Sequence, residues 1–142
     1  MVKFIILCFL LILNGCSNLK KDVVACPTVI APKKAAEVVV KSENKLPVYI
    51  GFRGINTYCI KDDDNIEMEI SVNVRAIRKD TKIEDFVPVN ISLVSTDLNN
   101  KEYDRDDFTY SQFLLKGSKI VDRATILDIK IPNGGQVYLG LR

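Results

Sequence analysis

The chain reads as an all-β protein, an immunoglobulin-like antiparallel β-sandwich of about seven strands, on three observations. Apolar and polar residues alternate with period two over several stretches, most cleanly from Ile66 to Ala76. Turn-forming clusters, Asp62-Asp63-Asp64-Asn65, Asn99-Asn100 and Asn133-Gly134-Gly135, punctuate those stretches. Helical spacing of apolar residues is nearly absent after residue 46. A small barrel built from the same strands is the alternative architecture.

The N-terminus is a different kind of segment. One early cation, Lys3, precedes ten apolar residues from Phe4 to Leu13. As a helix that run rises about 15 Å, roughly half a hydrocarbon core, so it predicts a signal-peptide core and not a finished membrane span. Leu13-Asn14-Gly15-Cys16 closes the run, and a small residue followed by cysteine at that place resembles the lipobox of bacterial lipoprotein precursors. The resemblance implies that residues 1–15 are removed and that Cys16 becomes a lipidated N-terminus. The alternative is an uncleaved short anchor or an ordinary buried helix.

Residues 16–46 then form a tether, with the sandwich domain over 47–142. Lys20-Lys21-Asp22, Pro27, Pro32 and Lys33-Lys34 are mixed with the apolar clusters Val23-Val24-Ala25 and Val38-Val39-Val40. That mixture predicts about ten mobile residues after Cys16 and first engagement with the domain near Cys26. Pro32 is placed to open a short helix over Lys33 to Glu37, which the β-branched run after it stops.

From Pro47 the period becomes two. Val48, Ile50 and Phe52 predict a first strand ending at Gly54, and Thr57 to Lys61 a second that carries Cys59. After the acidic turn, Ile66, Met68, Ile70, Val72, Val74 and Ala76 face one way and Glu67, Glu69, Ser71, Asn73 and Arg75 the other, as a central half-buried strand requires. Lys79 to Phe86 is a polar connection. Val87, Val89, Ile91 and Leu93 point a further strand inward. Asn99-Asn100 turns it into Lys101 to Phe113, whose acidic middle, Asp104 to Asp107, marks a bulged or edge strand guarded by charge. Val121 to Ile131 and Gln136 to Leu141 complete the set.

Composition narrows the function classes. Of 142 residues 47% are hydrophobic, so a core can form, and the chain has no histidine, which removes Ser/His/Asp and Cys/His nucleophile systems and the common zinc sites. Twenty Lys and Arg stand against 18 Asp and Glu. The pairs Lys33-Lys34 and Arg78-Lys79 have acids nearby, the pattern of a solvated mixed surface, and no nucleic-acid partner is expected. Four cysteines sit at 8, 16, 26 and 59. With Cys8 removed and Cys16 acylated, Cys26 and Cys59 remain as an even pair in an oxidising compartment, either a disulfide or two separately buried thiols.

Candidate chemistry is sparse. The carboxylates of Asp62, Asp63 and Asp64 are the weak candidates for a calcium site, though they lack the spacing, the sixth-position glycine and the distal glutamate of an EF-hand loop. No acidic pair is marked for glycoside hydrolysis and no Trp offers a sugar platform. Gly51-Phe52-Arg53-Gly54 is no phosphate loop. No catalytic residue and no cofactor is assigned.

Cys26-Pro27, Tyr58-Cys59-Ile60 before the acidic turn, the alternating stretch Ile66 to Arg78 and the hairpin Asp97 to Phe108 together make the chain similar to a family of uncharacterised alphaproteobacterial lipoproteins. Its richness in Lys, Ile and Asn is that of an AT-rich, rickettsia-like genome. Similar proteins carry further residues beyond the position of Arg142. The resemblance implies lipidation and a sandwich and brings no known activity. The expected function is thus a non-enzymatic interaction or assembly module of the bacterial envelope. It is held to the membrane by acyl chains such as palmitate on Cys16, and it faces the periplasm and an envelope protein partner. Ser17 after Cys16 favours the outer membrane by the sorting rule of enteric bacteria. The alternative class is a periplasmic calcium-dependent binder or a carboxylate-based hydrolase.

Overall fold

In the computed structural model, which describes residues 21–142, eight strands and one helical turn follow one another along the chain. They are β1 (Val29–Ile30), α1 (Lys33–Ala36), β2 (Glu37–Lys41), β3 (Pro47–Asp62), β4 (Asn65–Arg78), β5 (Asp85–Thr96), β6 (Glu102–Leu114), β7 (Ile120–Pro132) and β8 (Gln136–Leu141). One sheet has the order β2-β3-β4-β7 and the other β1-β8-β5-β6, and the two face each other as an immunoglobulin-like β-sandwich. The chain passes between sheets after β1, β4, β6 and β7. Among the described residues only the β1–β8 pair is parallel.

β4 is the centre, as its alternation predicts. It pairs with β3 on one side and β7 on the other over nearly its whole length, and Met68, Ile70, Val72, Val74 and Ala76 are buried. Val87, Val89, Ile91 and Leu93 of β5 meet them from the opposite sheet. Each Ile or Leu so buried contributes about 1.5–3 kcal/mol of apolar transfer.

Two expectations need correction. The strands predicted over 47–54 and 57–61 are one strand, β3, because a bulge between Phe52 and Gly54 takes up Arg53 and pairing with β4 resumes at Gly54. Nor is the segment before residue 46 a tether throughout. Val23 bridges Ile60, the Val24 N–H donates to the Cys59 carbonyl at 3.0 Å, and the Lys61 N–H donates to the Asp22 carbonyl at 2.8 Å. The chain then crosses to β8 as β1, turns through α1 behind Pro32, and returns to β3 as β2. Residues 22–41 thus lace one open side of the sandwich. They do so because Val24, Val29, Val38 and Val40 bury apolar surface against the core there.

The other open side is closed by side chains. β6 and β7 are edge strands of different sheets, and the acidic run of β6 lies against the free edge of β7. Asp106 accepts the Asp128 N–H at 3.0 Å and Asp104 accepts the Lys130 N–H at 2.8 Å, while the buried Ser95 hydroxyl donates to the Lys130 carbonyl at 2.6 Å. Further along, the Arg123 guanidinium lies 4.1 Å from the centre of the Tyr110 ring. The charges expected merely to guard β6 therefore satisfy its neighbour's backbone.

Arg78, expected on a solvated surface, is 3% exposed. Its guanidinium donates to the carbonyls of Ile83 (2.8 Å), Leu115 (2.6 Å), Ser118 (3.1 Å) and Leu114 (3.3 Å), so it knots the β4–β5 and β6–β7 loops together. Asp85, also buried, sits at the same end. Burial pushes its carboxyl up, but donors from Ser42, Phe86 and Asn44 outweigh that and hold it below the usual carboxylate range.

Two outcomes follow from these contacts. Replacing Asp104 and Asp106 together by Ala should speed amide hydrogen exchange selectively at Asp128 and Lys130, with the β4 amides still protected; unchanged protection at those two positions counts against the clasp. Because the Asp85 pKa is lowered on folding, its carboxylate adds stability that is fully present above the unfolded value of about 3.9 and disappears as pH falls through the folded value. Urea midpoints of Asp85→Asn should therefore lie below the parent at pH 7 and converge on it towards pH 2.

Candidate functional site

Three turns meet where the N-terminal segment enters the fold. The β3–β4 turn places Asp63 at φ 51°, the β5–β6 turn places Asn100 at φ 59°, and the β7–β8 turn uses Gly134 at φ 74°. Asp97 fixes the second by accepting the Asn99 and Lys101 N–H groups at 2.8 and 2.9 Å. Gly134 takes a φ that side-chain-bearing residues rarely adopt, and at Gly135 a Cβ would stand 2.4 Å from the Thr96 carbonyl oxygen.

Cys26 and Cys59 form a disulfide, with Cα atoms 5.3 Å apart, which decides between a bridge and two buried thiols. It fastens the lacing segment to β3 just beyond its bridge at Val23. Leu13, Asn14, Gly15 and Cys16 lie outside the described residues. The carboxylates of Asp62, Asp63 and Asp64 do not gather. Asp62 stands 3.8 Å from Lys130 Nζ, while Asp63 and Asp64 line a hollow of about 260 Å³ with Val24, Lys61, Asn65 and Asn133. Among the described residues no three Asp, Glu, Cys or His side chains are grouped to hold a metal ion.

A larger hollow of about 400 Å³ opens on the outer face of the β2-β3-β4-β7 sheet, lined chiefly by Tyr58, Ile60, Glu67, Glu69, Asp128 and Lys130, with Asp104 at its rim. Ladder register builds it. Ile60, Glu67 and Lys130 form one cross-strand row, and Tyr58, Glu69 and Asp128 the next. In the first row charge is compensated: Lys21 Nζ is 3.0 Å and Lys130 Nζ 3.9 Å from Glu67. The Lys21 hydrogen bond holds the Glu67 carboxyl below its usual range. In the second row two carboxylates, Glu69 and Asp128, stand directly opposite, and neither has an ion-pair partner among the described residues. Like charges so placed repel, and a cation docked between them beside the half-exposed Tyr58 ring relieves that repulsion. The hollow can therefore receive a cationic side chain against an apolar and aromatic wall.

Sequence reasoning placed Glu69 on the outer face of β4 but missed the hollow. Its signal is the pairing of Glu69 with Asp128, which depends on the β4–β7 register and not on local pattern.

Cutting the disulfide measures the lacing. The bridge closes a separation of 33 residues, worth about 3.7 kcal/mol in the chain-entropy account. Cys26→Ser with Cys59→Ser should lower unfolding stability by about that amount and expose residues 22–30 to protease first; a loss below about 1 kcal/mol would mean that strand pairing alone holds the segment.

No family model, no curated protein and no solved structure matches this chain.

Proposed function

We propose that the protein is a lipid-anchored lipoprotein of the bacterial cell envelope, fixed through Cys16 and facing the periplasm, and that it works as a non-enzymatic interaction or assembly module. The observation that carries this reading is the cysteine pairing. Once Cys8 and Cys16 are assigned to the signal segment and to acylation, the two cysteines that remain are bonded to each other, as an oxidising compartment allows. The apolar run Phe4 to Leu13 and the Leu13-Asn14-Gly15-Cys16 motif supply the targeting half of the argument.

The start of the fold adds a spatial consequence. Residues 17–21 separate Cys16 from Asp22, the first backbone-paired residue among those described. The six Cα–Cα steps from Cys16 to Asp22 reach at most about 22 Å, so the sandwich stays close to the membrane that holds its lipid. The hollow of Tyr58, Glu69 and Asp128 then lies towards the anchored end and is offered to a basic segment of an envelope partner. Its carboxylates are spread along a sheet face and the acidic turn gathers no ligand set, so nothing specific favours a hydrolase or a calcium-dependent binder.

Metabolic labelling with palmitate tests the anchor: the parent should incorporate label and Cys16→Ala should not, and label retained by the variant defeats the reading. For the hollow, Glu69→Lys should abolish cross-links formed by the anchored protein in its own envelope while leaving palmitate incorporation unchanged.

A further inference from the structure

At the pole away from the N-terminal entry, the loops 42–46, 79–84 and 115–119 come together. Four large apolar side chains are exposed there: Ile83 (45%) and Leu115 (52%) in the loops, and Phe86 (40%) and Phe113 (39%) at the adjoining ends of β5 and β6. They form one patch. Phe86 and Phe113 are register partners with ring centres 5.0 Å apart, Leu115 follows Phe113 on the same face, and Ile83 is drawn to Leu115 because Arg78 binds both their carbonyls. The Gly117 N–H donates to the Thr81 carbonyl at 2.8 Å and ties the two loops directly. The same three loops carry Lys45, Lys79, Lys82, Lys116 and Lys119 as exposed residues, against the exposed acids Glu43, Asp80 and Glu84. The turns at the opposite pole carry Asp63, Asp64 and Asp97 against Lys101.

A buried guanidinium satisfied only by carbonyls is a costly way to hold loops whose outer residues are apolar and exposed. It makes physical sense where those residues must stay in place outside the core. The patch is also made of loop tips and a sheet end, and neither of the two hollows lies at it. Apolar loop tips carried beside lysines match a bilayer surface, whose headgroup boundary takes the tips and whose phosphates meet the cations.

We propose that this pole docks onto an anionic lipid surface, with Ile83, Leu115, Phe86 and Phe113 entering the interface and Lys116, Lys119 and their neighbours contacting headgroup phosphates. Docking here does not depend on acylation of Cys16 and lies at the other end of the molecule from it. β4 spans 14 residues, about 46 Å, so a tether of about 22 Å does not let this pole stand end-on against the membrane that holds the anchor. An acylated molecule engaged at both ends joins two lipid surfaces.

Vesicle sedimentation tests the proposal, using residues 17–142, which contain both sheets, the core and the disulfide but no acyl site. Vesicles of phosphatidylglycerol and phosphatidylethanolamine should retain the protein, and phosphatidylcholine vesicles or 0.5 M salt should weaken retention by about tenfold or more. Ile83→Asp with Leu115→Asp should weaken it by a similar factor at unchanged melting temperature, and Lys116→Glu with Lys119→Glu should do the same through charge alone. No retention on the anionic vesicles overturns the lipid surface and gives the pole to an acidic protein partner. Equal retention of either double variant overturns the assignment to this pole. Neither result bears on the Cys16 anchor, which palmitate labelling tests separately.

Discussion

Each rim strand of an open sheet carries a row of N–H and C=O groups that must find partners, and a two-sheet sandwich has two such open sides. The architecture here depends on how those sides are closed. On one, residues 22–41 run from β3 to β8 and back to β3, so that a single segment pairs with both sheets. On the other, Asp104 and Asp106 of one edge accept amides of the other. With both sides shut, β4 and β5 can be buried on their inner faces from end to end without exposing the core at the seams.

The sequence made the inner faces legible and the seams obscure. Ile66 to Ala76 and Val87 to Leu93 announce themselves because strand alternation is local and has a fixed period. The seams are set by contacts distant in sequence. Val23 and Val24 have too short an apolar run to declare a strand, Pro27 and Pro32 interrupt the reading, and their partner Ile60 lies far along the chain. Asp104 and Asp106 look like solvated charge until β7 is placed beside them. Arg78 looks exposed for the same reason, since its four acceptors come from the β4–β5 loop and from the end of β6 with the loop after it, which only the closed sandwich brings together. Gly54 misled in the other direction, because a glycine that reads as a strand end resumes the ladder after a bulge. The disulfide was reachable from parity, whereas the hollow over Glu69 and Asp128 needed register.

Charge is then distributed by position and not by amount. Nearly equal numbers of basic residues (Lys and Arg) and acids leave little net field, yet acids collect in the turns beside the N-terminal entry and lysines in the loops at the Arg78 end. The outer sheet faces between are neutralised locally. Arg75 binds Asp122 through two bonds of 2.7 and 2.8 Å, and Ser92, Arg105 and Arg142 converge on Asp107, whose carboxyl the Ser92 hydroxyl above all holds below its usual range. Between those faces and the ends, the Glu69–Asp128 row keeps two facing carboxylates without an ion-pair partner among the described residues.

The bridge between Cys26 and Cys59 also determines where a mechanical load would travel. A pull on the N-terminus acts along the axis of the short antiparallel pairing of Asp22 to Val24 with β3, so those hydrogen bonds are strained in shear, together, and not unzipped in turn. If they yield, the covalent link takes the tension at Cys26 and delivers it to Cys59, near the C-terminal end of β3. Residues 27–46, including β1, α1 and β2, lie off that path and stay slack. Drag on the body of the protein would then spread through the β3–β4 ladder, and the segment that closes the sandwich would not be peeled away by the same force.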